Sequence, residues 1–352
     1  MGKRLLFVCP DNSIPSGGIK QIYRQVDVLN ENDFSAYILH KNEGFRCQWF
    51  NNSTPILYHK ELFQNIAKLK TSNSKTIKTK LKLFVKQILS TLKPSSDIKL
   101  TKDDILVFPE IYGPHIATLY DGIKKVIYNQ GVYQTFFGYN LNLNSKDTPY
   151  TSKDLIAVIV NSEDARQYMS LAFPNINLYR IHYGFNNKEF FISENKKRQI
   201  CFMTRRLRSD IIQVINILKF RGILEGWKIL PIENMNEQQV AQCMKQSAIF
   251  LSFNINEGFG MPPAEAMACG CIVVGYTGQG GNEIFNSEFS YPIPDRNVQE
   301  YVKTLEKVIK AFNVNPELFV EKGKKASEFI LTNYSMTVEE QDIISTWKAI
   351  CN

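Results

Sequence analysis

The sequence has no long apolar run and no C-x-x-C pair of cysteines, and each absence argues against a class of protein. No stretch approaches the roughly 18 consecutive apolar residues of a membrane-spanning helix. The seven cysteines are scattered and odd in number, so we expect reduced thiols rather than a zinc motif or a disulfide framework. The apolar run Leu5–Cys9 is short and meets Pro10 at once. It therefore indicates a buried first strand rather than a signal peptide.

Positive charge is concentrated in one segment of the chain. The net charge of the 352 residues is +8, and residues 60–102 alone contain eleven lysines against Glu61 and Asp97. The segment contains no arginine, which argues against a nucleic-acid partner. Two interpretations remain: a solvated basic face, or an amphipathic surface between Lys60 and Lys102 that attracts an anionic membrane. We therefore expect a cytoplasmic protein, either free or peripheral at the inner face of the membrane.

Apolar strands alternate with amphipathic helices along the chain. The strand at Leu5–Cys9 is followed by a loop at Ser13–Gly18 and a helix from Ile19 to about Asn30. Further strands are expected at residues 36–40, 105–108, 125–128, 155–160, 180–183, 199–204, 227–231, 248–253 and 271–276. This alternation predicts an α/β fold with parallel sheets.

The polar run from Asn186 to Arg198 divides the alternation into two series. We predict an N-terminal domain at residues 1–185, a linker at 186–198 and a C-terminal domain at 199–335. Residues 336–352 are predicted to form a helix that packs back toward the N-terminal domain. Two consecutive α/β halves form a cleft between them, which is a common place for a ligand.

The most informative stretch runs from a buried strand ending at Phe253 to Gly270. A loop containing Gly258 and Gly260 follows the strand, and a helix is expected to begin near Pro262 and to stop at Gly270. Proline at the start of a helix and glycine just past its end are the usual asymmetry. The free N–H groups at the start of this helix suit an anion such as a diphosphate.

Two glutamates flank this helix start. Glu257 lies in the loop, and Glu265 lies about one turn into the helix, where a carboxylate can accept two hydrogen bonds from a cis-diol such as ribose. The alternative is that Glu257 only faces solvent and Glu265 only complements the helix dipole.

The run from Glu257 to Gly270 resembles the E-x7-E motif of retaining GT-B glycosyltransferases, in particular glycosyltransferase family 4. Glu257 and Glu265 are separated by seven residues, and the resemblance extends through Gly280-Gly281-Asn282-Glu283 and over residues 158–190. It implies two Rossmann-like domains that face each other across a cleft. It also implies transfer of a hexose, with UDP-glucose as the expected donor, to a glycan or lipid-linked acceptor in polysaccharide biosynthesis.

The resemblance also assigns the donor site. The family places an arginine and a lysine after the strand at 199–204, but here no lysine has the usual spacing and residue 210 is Asp. Arg205 and Arg206 are therefore the expected diphosphate ligands, and Arg208 is the alternative candidate. Together with Glu257, Arg205 and Arg206 are the expected catalytic residues. The expected donor-binding residues are Gly17, Gly18, Arg205, Arg206, Asn234, Met235, Glu257, Gly258, Phe259, Gly260, Met261 and Glu265.

The acceptor side departs from the family pattern. Members often carry a histidine after the strand at 125–128, whereas this sequence has Asn129 and Gln130, and neither amide can act as a base. Asn129, Gln130 and His115 are the acceptor-side candidates.

Resemblance to retaining members implies front-face transfer, in which the departing phosphate accepts the acceptor proton. No cofactor and no metal are then needed, and Asp103-Asp104 is interpreted as a surface turn. Two other functions stay open: a nucleotide-sugar-binding or membrane-adaptor protein without turnover, and a nucleotide sugar epimerase on the same fold.

Overall fold

The computed structural model describes residues 3–72, 97–139, 141, 148–193 and 195–352. Within these residues the strands are β1 Arg4–Val8, β2 Ser35–His40, β3 Ile56–Tyr58, β4 Ile105–Pro109, β5 Lys124–Tyr128, β6 Leu155–Val160, β7 Leu178–Arg180, β8 Lys197–Met203, β9 Lys228–Ile232, β10 Ser247–Glu257, β11 Ile272–Gln279 and β12 Ser290–Ile293. The α-helices are α1 Gly17–Glu31, α2 Lys60–Ser72, α3 Glu163–Ala172, α4 Arg208–Phe220, α5 Glu237–Gln246, α6 Met261–Ala268, α7 Val298–Val314, α8 Pro316–Asn333 and α9 Met336–Cys351. Short 3-10 helices cover Glu110–Thr118, Val132–Gln134, Pro149–Thr151 and Gly280–Glu283.

Two parallel sheets form the framework. The first has the strand order β3-β2-β1-β4-β5-β6-β7, and the second has the order β12-β11-β10-β8-β9. Every pairing between neighbouring strands is parallel. The central strand β4 is buried along its whole length, as expected for a parallel sheet with helices on both faces. The predicted α/β class with two parallel sheets is confirmed.

The helix after the first strand begins earlier than its sequence pattern predicts. Ile22, Val26 and Leu29 form its buried face as expected, but α1 starts at Gly17, directly after the extended residue Ser16. Gly17 and Gly18 therefore lie in the first helical turn rather than in the preceding loop. Their backbone is part of a helix N-terminus at the carboxyl end of β1.

Other boundaries differ by a few residues. β3 and β12 were not expected, because strands of three and four residues are too short to show a hydrophobic period. β7 ends at Arg180, the residue at which the predicted strand at 180–183 begins, so the observed strand lies earlier in the sequence. β8 begins at Lys197, inside the predicted linker. The spacing of Leu81, Phe84, Ile88 and Leu92 also predicts a helix in the lysine-rich segment, and these residues lie outside the described part of the chain, as does much of that segment.

The C-terminal helix α9 packs against α1 of the N-terminal domain. Trp347 is fully buried, its Nε1 donates to Gln25 Oε1 at 3.2 Å, and its ring lies 5.4 Å from that of Phe7. This contact joins the end of the chain to its beginning. Among the residues described, no helix is both long enough and apolar enough to cross a membrane.

Candidate functional site

Glu257 lies at the carboxyl end of β10, where a short loop leads into α6. It pairs with Gln279 of β11 after a register shift that begins at Asn254. Gly260 has a φ of 90°, and a Cβ at this position would lie 2.7 Å from Asn254 Nδ2, so the turn requires glycine. The sheet therefore holds Glu257, and only residues 258–260 separate β10 from α6.

Arg206 is the cation that the structure brings to Glu257. Its Nε donates to Glu257 Oε1 at 2.9 Å, and the two side chains are 41% and 22% exposed. Arg205 and Arg208 are both exposed. Because the Arg206–Glu257 pair is partly exposed, a phosphate can compete with Glu257 for the guanidinium.

Glu265 lies on α6, near an ion pair that joins the two domains. Lys20 of α1 donates to Glu237 at the start of α5. Burial raises the pKa of Glu265 to about 7; the charge of Glu237 raises it further and that of Lys20 lowers it. A carboxyl group with this pKa is about half ionised at neutral pH, so a ligand that donates hydrogen bonds to it favours the charged form.

Glycines allow the two domains to touch beside this site. A Cβ on Gly17 would lie 3.0 Å from Met261 Sδ of the other domain, and within the N-terminal domain a Cβ on Gly18 would lie 3.0 Å from Gln130 Oε1. Gly258 is the closest approach, since its Cβ would lie 2.0 Å from Gln130 O. The structure therefore brings together five of the predicted site residues: Gly17, Gly18, Gln130, Gly258 and Met261.

Hydrogen bonds fix Gln130 on the N-terminal side of the cleft. Asn161 Nδ2 donates to Gln130 O at 2.9 Å and to the Tyr183 hydroxyl at 2.8 Å, and that hydroxyl donates to Gln130 Oε1 at 3.2 Å. The backbone N–H of Gln130 donates to Glu110 Oε2 at 3.0 Å. Gln130 is therefore held at its carbonyl, its amide N–H and its side-chain oxygen.

Glu110 is a site residue that the sequence reasoning missed. It is 5% exposed, and burial raises its pKa to about 7 although the backbone N–H groups of Gln130 and Gly131 lower it. The available signal was a glutamate directly after the fully buried strand β4, since the carboxyl ends of parallel strands carry ligand sites.

The structure does not support Asn129 as an acceptor-side residue. Its Nδ2 donates to Thr135 Oγ1 at 2.8 Å and to the Tyr150 hydroxyl at 3.1 Å, and the residue is fully buried inside the N-terminal domain. Gln130, in contrast, approaches Gly258 of the C-terminal domain through its carbonyl oxygen. His115 lies half-buried in the 3-10 helix Glu110–Thr118, where its carbonyl accepts a hydrogen bond from Thr118.

The side chain of Phe259 is buried between the domains. It is 1% exposed, and its ring lies 5.6 Å from that of Tyr183 and 5.2 Å from that of Tyr334. Any contact of Phe259 with a ligand must therefore come from its backbone groups. Asn234 is exposed with a φ of 53°, and Met235 lines a groove of about 610 Å³; both follow the carboxyl end of β9.

The Asp103-Asp104 pair is not a simple surface turn. Asp104 is buried, and its two carboxylate oxygens accept from Arg4 Nε and Nη2, each at 2.7 Å. Only Asp103 is exposed. In the part of the chain that the structure describes, no three His, Cys, Asp or Glu side chains are grouped to hold a metal ion.

Known proteins resemble this chain in sequence. Residues 226–325 match the family model described as "Glycosyl transferases group 1", and this range includes Glu257, Glu265 and Glu283. An α-1,6-glucosyltransferase of Actinobacillus pleuropneumoniae serotype 7 (strain AP76) is 26% identical over 206 residues. That match covers 55% of this chain and 58% of the relative, so the chain spans less than two thirds of the relative's length. These matches support a glycosyltransferase.

Solved structures match over nearly the whole chain. TarM superposes with a TM-score of 0.65 at 12% identity, covering 100% of this chain and 99% of that chain. HepE of Anabaena, solved with UDP and glucose, gives 0.64 at 13% identity over 99% and 100%. Sucrose-phosphate synthase of Thermosynechococcus elongatus gives 0.64 at 11% identity over 99% of each chain. The fold is GT-B. The predicted pair of Rossmann-like domains across a cleft is confirmed.

Proposed function

We propose that this protein is a retaining glycosyltransferase that moves a hexose from a nucleotide diphosphate sugar to a glycan or lipid-linked acceptor. One observation carries the proposal. Arg206 and Glu257 form an ion pair beside the start of α6, and Glu265 lies one turn further along the same helix. This brings a cation, a helix N-terminus and two carboxylates together in space within the C-terminal domain.

Each of these groups suits one part of the donor. The N-terminus of α6 and the glycine loop before it suit the diphosphate, and Arg206 adds a full positive charge. Glu265 suits the ribose, because its carboxylate can accept from both hydroxyls of a cis-diol. Glu257 is released from Arg206 when phosphate takes the guanidinium, and it can then accept from hydroxyls of the sugar.

The transfer step needs no protein nucleophile. The acceptor oxygen forms a bond to the anomeric carbon on the face from which the diphosphate departs, and the bond between that carbon and the phosphate oxygen breaks. The acceptor proton passes to the departing phosphate. Arg206 and the α6 N-terminus stabilise the negative charge that develops there. We propose that the step uses no divalent ion and no other cofactor.

UDP-glucose is the proposed donor. An α-1,6-glucosyltransferase is among the relatives, and HepE was solved with UDP-glucose. The proposed role is polysaccharide biosynthesis on the pattern of glycosyltransferase family 4. This assignment rests on similarity together with the E-x7-E spacing of Glu257 and Glu265.

We also propose that the N-terminal domain binds an anionic membrane surface. The segment at residues 60–102 carries most of the excess positive charge, and Phe136, Phe137 and Leu171 of the same domain are 46%, 62% and 85% exposed. Sedimentation with liposomes of neutral and of anionic lipid tests this. Binding that requires anionic lipid and weakens with salt supports it, and equal sedimentation with both lipids contradicts it.

A two-stage experiment tests the enzymatic proposal. A thermal-shift panel of UDP, GDP and their sugars identifies the donor, because a ligand that binds only the folded state raises the melting temperature. A labelled donor is then incubated with candidate glycan acceptors, and the products are separated and their anomeric configuration determined. Transfer with retention supports the proposal. Binding without any transfer favours the adaptor function, and release of nucleotide with an epimerised sugar favours the epimerase.

A further inference from the structure

Glu283 connects the C-terminal domain to three groups around it. Its carboxylate accepts from the backbone N–H of Glu163 at 2.7 Å, from the Tyr334 hydroxyl at 2.9 Å and from Arg180 Nη2. Glu163 and Arg180 belong to the N-terminal domain, and Tyr334 lies where the chain crosses back toward that domain before α9. The Glu283 side chain is 16% exposed. Hydrogen bonds to a charged group that is largely excluded from solvent are stronger than those between neutral groups.

The contact with Glu163 is a helix N-terminus. Glu163 is the first residue of α3, and the cap residue Ser162 already accepts from Ala165 N at 3.1 Å. Glu283 accepts a second of the free N–H groups at that end, from the other domain. A carboxylate at a helix N-terminus is stabilised by both the hydrogen bond and the helix dipole.

The turn that ends at Glu283 packs against the proposed donor loop, residues 256–260. Glu283 ends the 3-10 turn Gly280–Glu283, and a Cβ on Gly280 would lie 2.1 Å from Gly258 O and 2.5 Å from Glu257 O. Gln279 Oε1 accepts from Asn256 N at 3.0 Å. The turn therefore packs against the backbone of residues 256–258 with no space for a side chain, so a displaced turn must displace that backbone too.

We propose that Glu283 is a positioning residue that fixes the donor loop, residues 256–260, relative to the N-terminal domain. It joins the N-terminus of α3 and Arg180 to the turn at 280–283, and that turn supports the loop from behind. The loop then meets Gln130 of the opposite domain through Gly258. In its effect on turnover, this inference rests on the proposed transferase function.

The test compares Glu283→Gln with Asp342→Asn. Asp342 accepts from His182 N at 3.0 Å and contacts His182 Nδ1 at 2.6 Å, so it also joins α9 to the end of the first sheet but has no contact with the turn at 280–283. Three quantities are measured for each: hydrogen–deuterium exchange of residues 256–261, UDP affinity by calorimetry, and kcat with the donor that the wild type uses.

For Glu283→Gln we expect faster exchange in the donor loop and a fall in kcat of up to about 100-fold, since a small displacement of reacting groups has an effect of that order. UDP affinity should change less than kcat, because Arg206, Glu265 and the N-terminus of α6, which are proposed to hold the nucleotide, all lie in the C-terminal domain. Asp342→Asn should leave all three quantities close to the wild type. Tyr334→Phe, which removes one donor and keeps the ring, should give the same changes as Glu283→Gln with smaller size.

The exchange measurement separates this inference from the proposed function. If the wild type transfers no sugar but Glu283→Gln alone loosens residues 256–261, the proposed function fails and the positional role stands. If loop exchange is unchanged in both Glu283→Gln and Tyr334→Phe, or if Asp342→Asn loosens the loop equally, the positional role is refuted. A parallel loss of UDP affinity and kcat also refutes it. If Glu283→Gln does not fold, the Tyr334→Phe and Asp342→Asn pair decides by the same criteria.

Discussion

Donor affinity should depend on pH through Glu265. The pKa of this carboxyl is about 7, because the packing around the partly exposed Glu265 side chain desolvates it and because it faces the charge of Glu237. Ribose hydroxyls donate to the ionised form, so the bound state favours a carboxylate with a lower pKa. Below pH 7 the protein must therefore lose a proton before the donor can bind, and above pH 8 it need not. A nucleotide sugar itself does not titrate in this range, since each of its phosphates carries one ester and one anhydride linkage and has no second ionisation.

The expected size follows from this pKa. A carboxyl with a pKa of about 7 is roughly 10% ionised at pH 6 and 90% ionised at pH 8, so affinity should fall about ten-fold between pH 8 and pH 6. This corresponds to about 1.4 kcal/mol of binding free energy. Calorimetric titration with the nucleotide sugar at both pH values measures it, and repetition in two buffers of different ionisation enthalpy counts the proton released.

Two variants identify the group responsible. Glu265→Gln should weaken binding at pH 8 and remove the dependence between pH 6 and 8. Glu339→Gln is the matched control: burial raises the pKa of Glu339 to about 7 as well, but this glutamate contacts Arg24 and Gly184, which are not among the proposed donor-site residues. This control should keep the ten-fold dependence. Affinity that does not change with pH in the wild type, or a dependence that survives in Glu265→Gln, would refute the assignment of Glu265 to the ribose.

Three further predictions concern the rest of the site. Gly258→Ala should lower the melting temperature and turnover, because its Cβ would lie 2.0 Å from Gln130 O. The control Gly44→Ala has nothing within 4 Å and only an unfavourable φ of 79°, so it should cost about 1–2 kcal/mol of stability and leave turnover intact. Equal turnover in both variants contradicts the close contact. Arg206→Ala should reduce kcat by roughly 100-fold or more, and Arg205→Ala should reduce it less, as measured by steady-state kinetics, because only Arg206 contacts Glu257 among the arginines after β8 in the described structure; the reverse order would show that Arg205 is the phosphate ligand. Transfer assayed with excess EDTA should equal transfer with added magnesium, and a loss restored by magnesium would overturn the metal-independent step.

The sequence predicts the framework because the framework depends on local patterns. Alternating apolar strands and amphipathic helices predict two parallel sheets, and the glycine and proline positions between Phe253 and Gly270 predict α6 within one or two residues. Ser162 caps α3 as its residue type and position predict. Such features are decided by residues within one turn or one strand of each other.

The features missed by the sequence depend on contacts between distant segments. Nothing near Glu283 in the sequence reveals that its carboxylate accepts from Glu163, 120 residues away. The choice between Asn129 and Gln130 depends on which of the two residues faces the C-terminal domain, and residue type does not decide this. Phe259 is likewise adjacent to the motif in sequence but packs against rings from both domains.

The carboxylates of the cleft are already compensated in the free protein, each in a different way. Glu257 is paired with Arg206, and the raised pKa of Glu265 keeps part of its population neutral. Under the proposed function, donor binding exchanges partners on these groups: phosphate replaces Glu257 on Arg206, and ribose hydroxyls replace the proton on Glu265. Such exchange would favour ligands that carry both groups, because a diphosphate alone frees Glu257 without a sugar to contact, and a sugar alone cannot displace it from Arg206. We therefore expect selectivity for the complete nucleotide sugar, because the site satisfies its own charges until both groups bind.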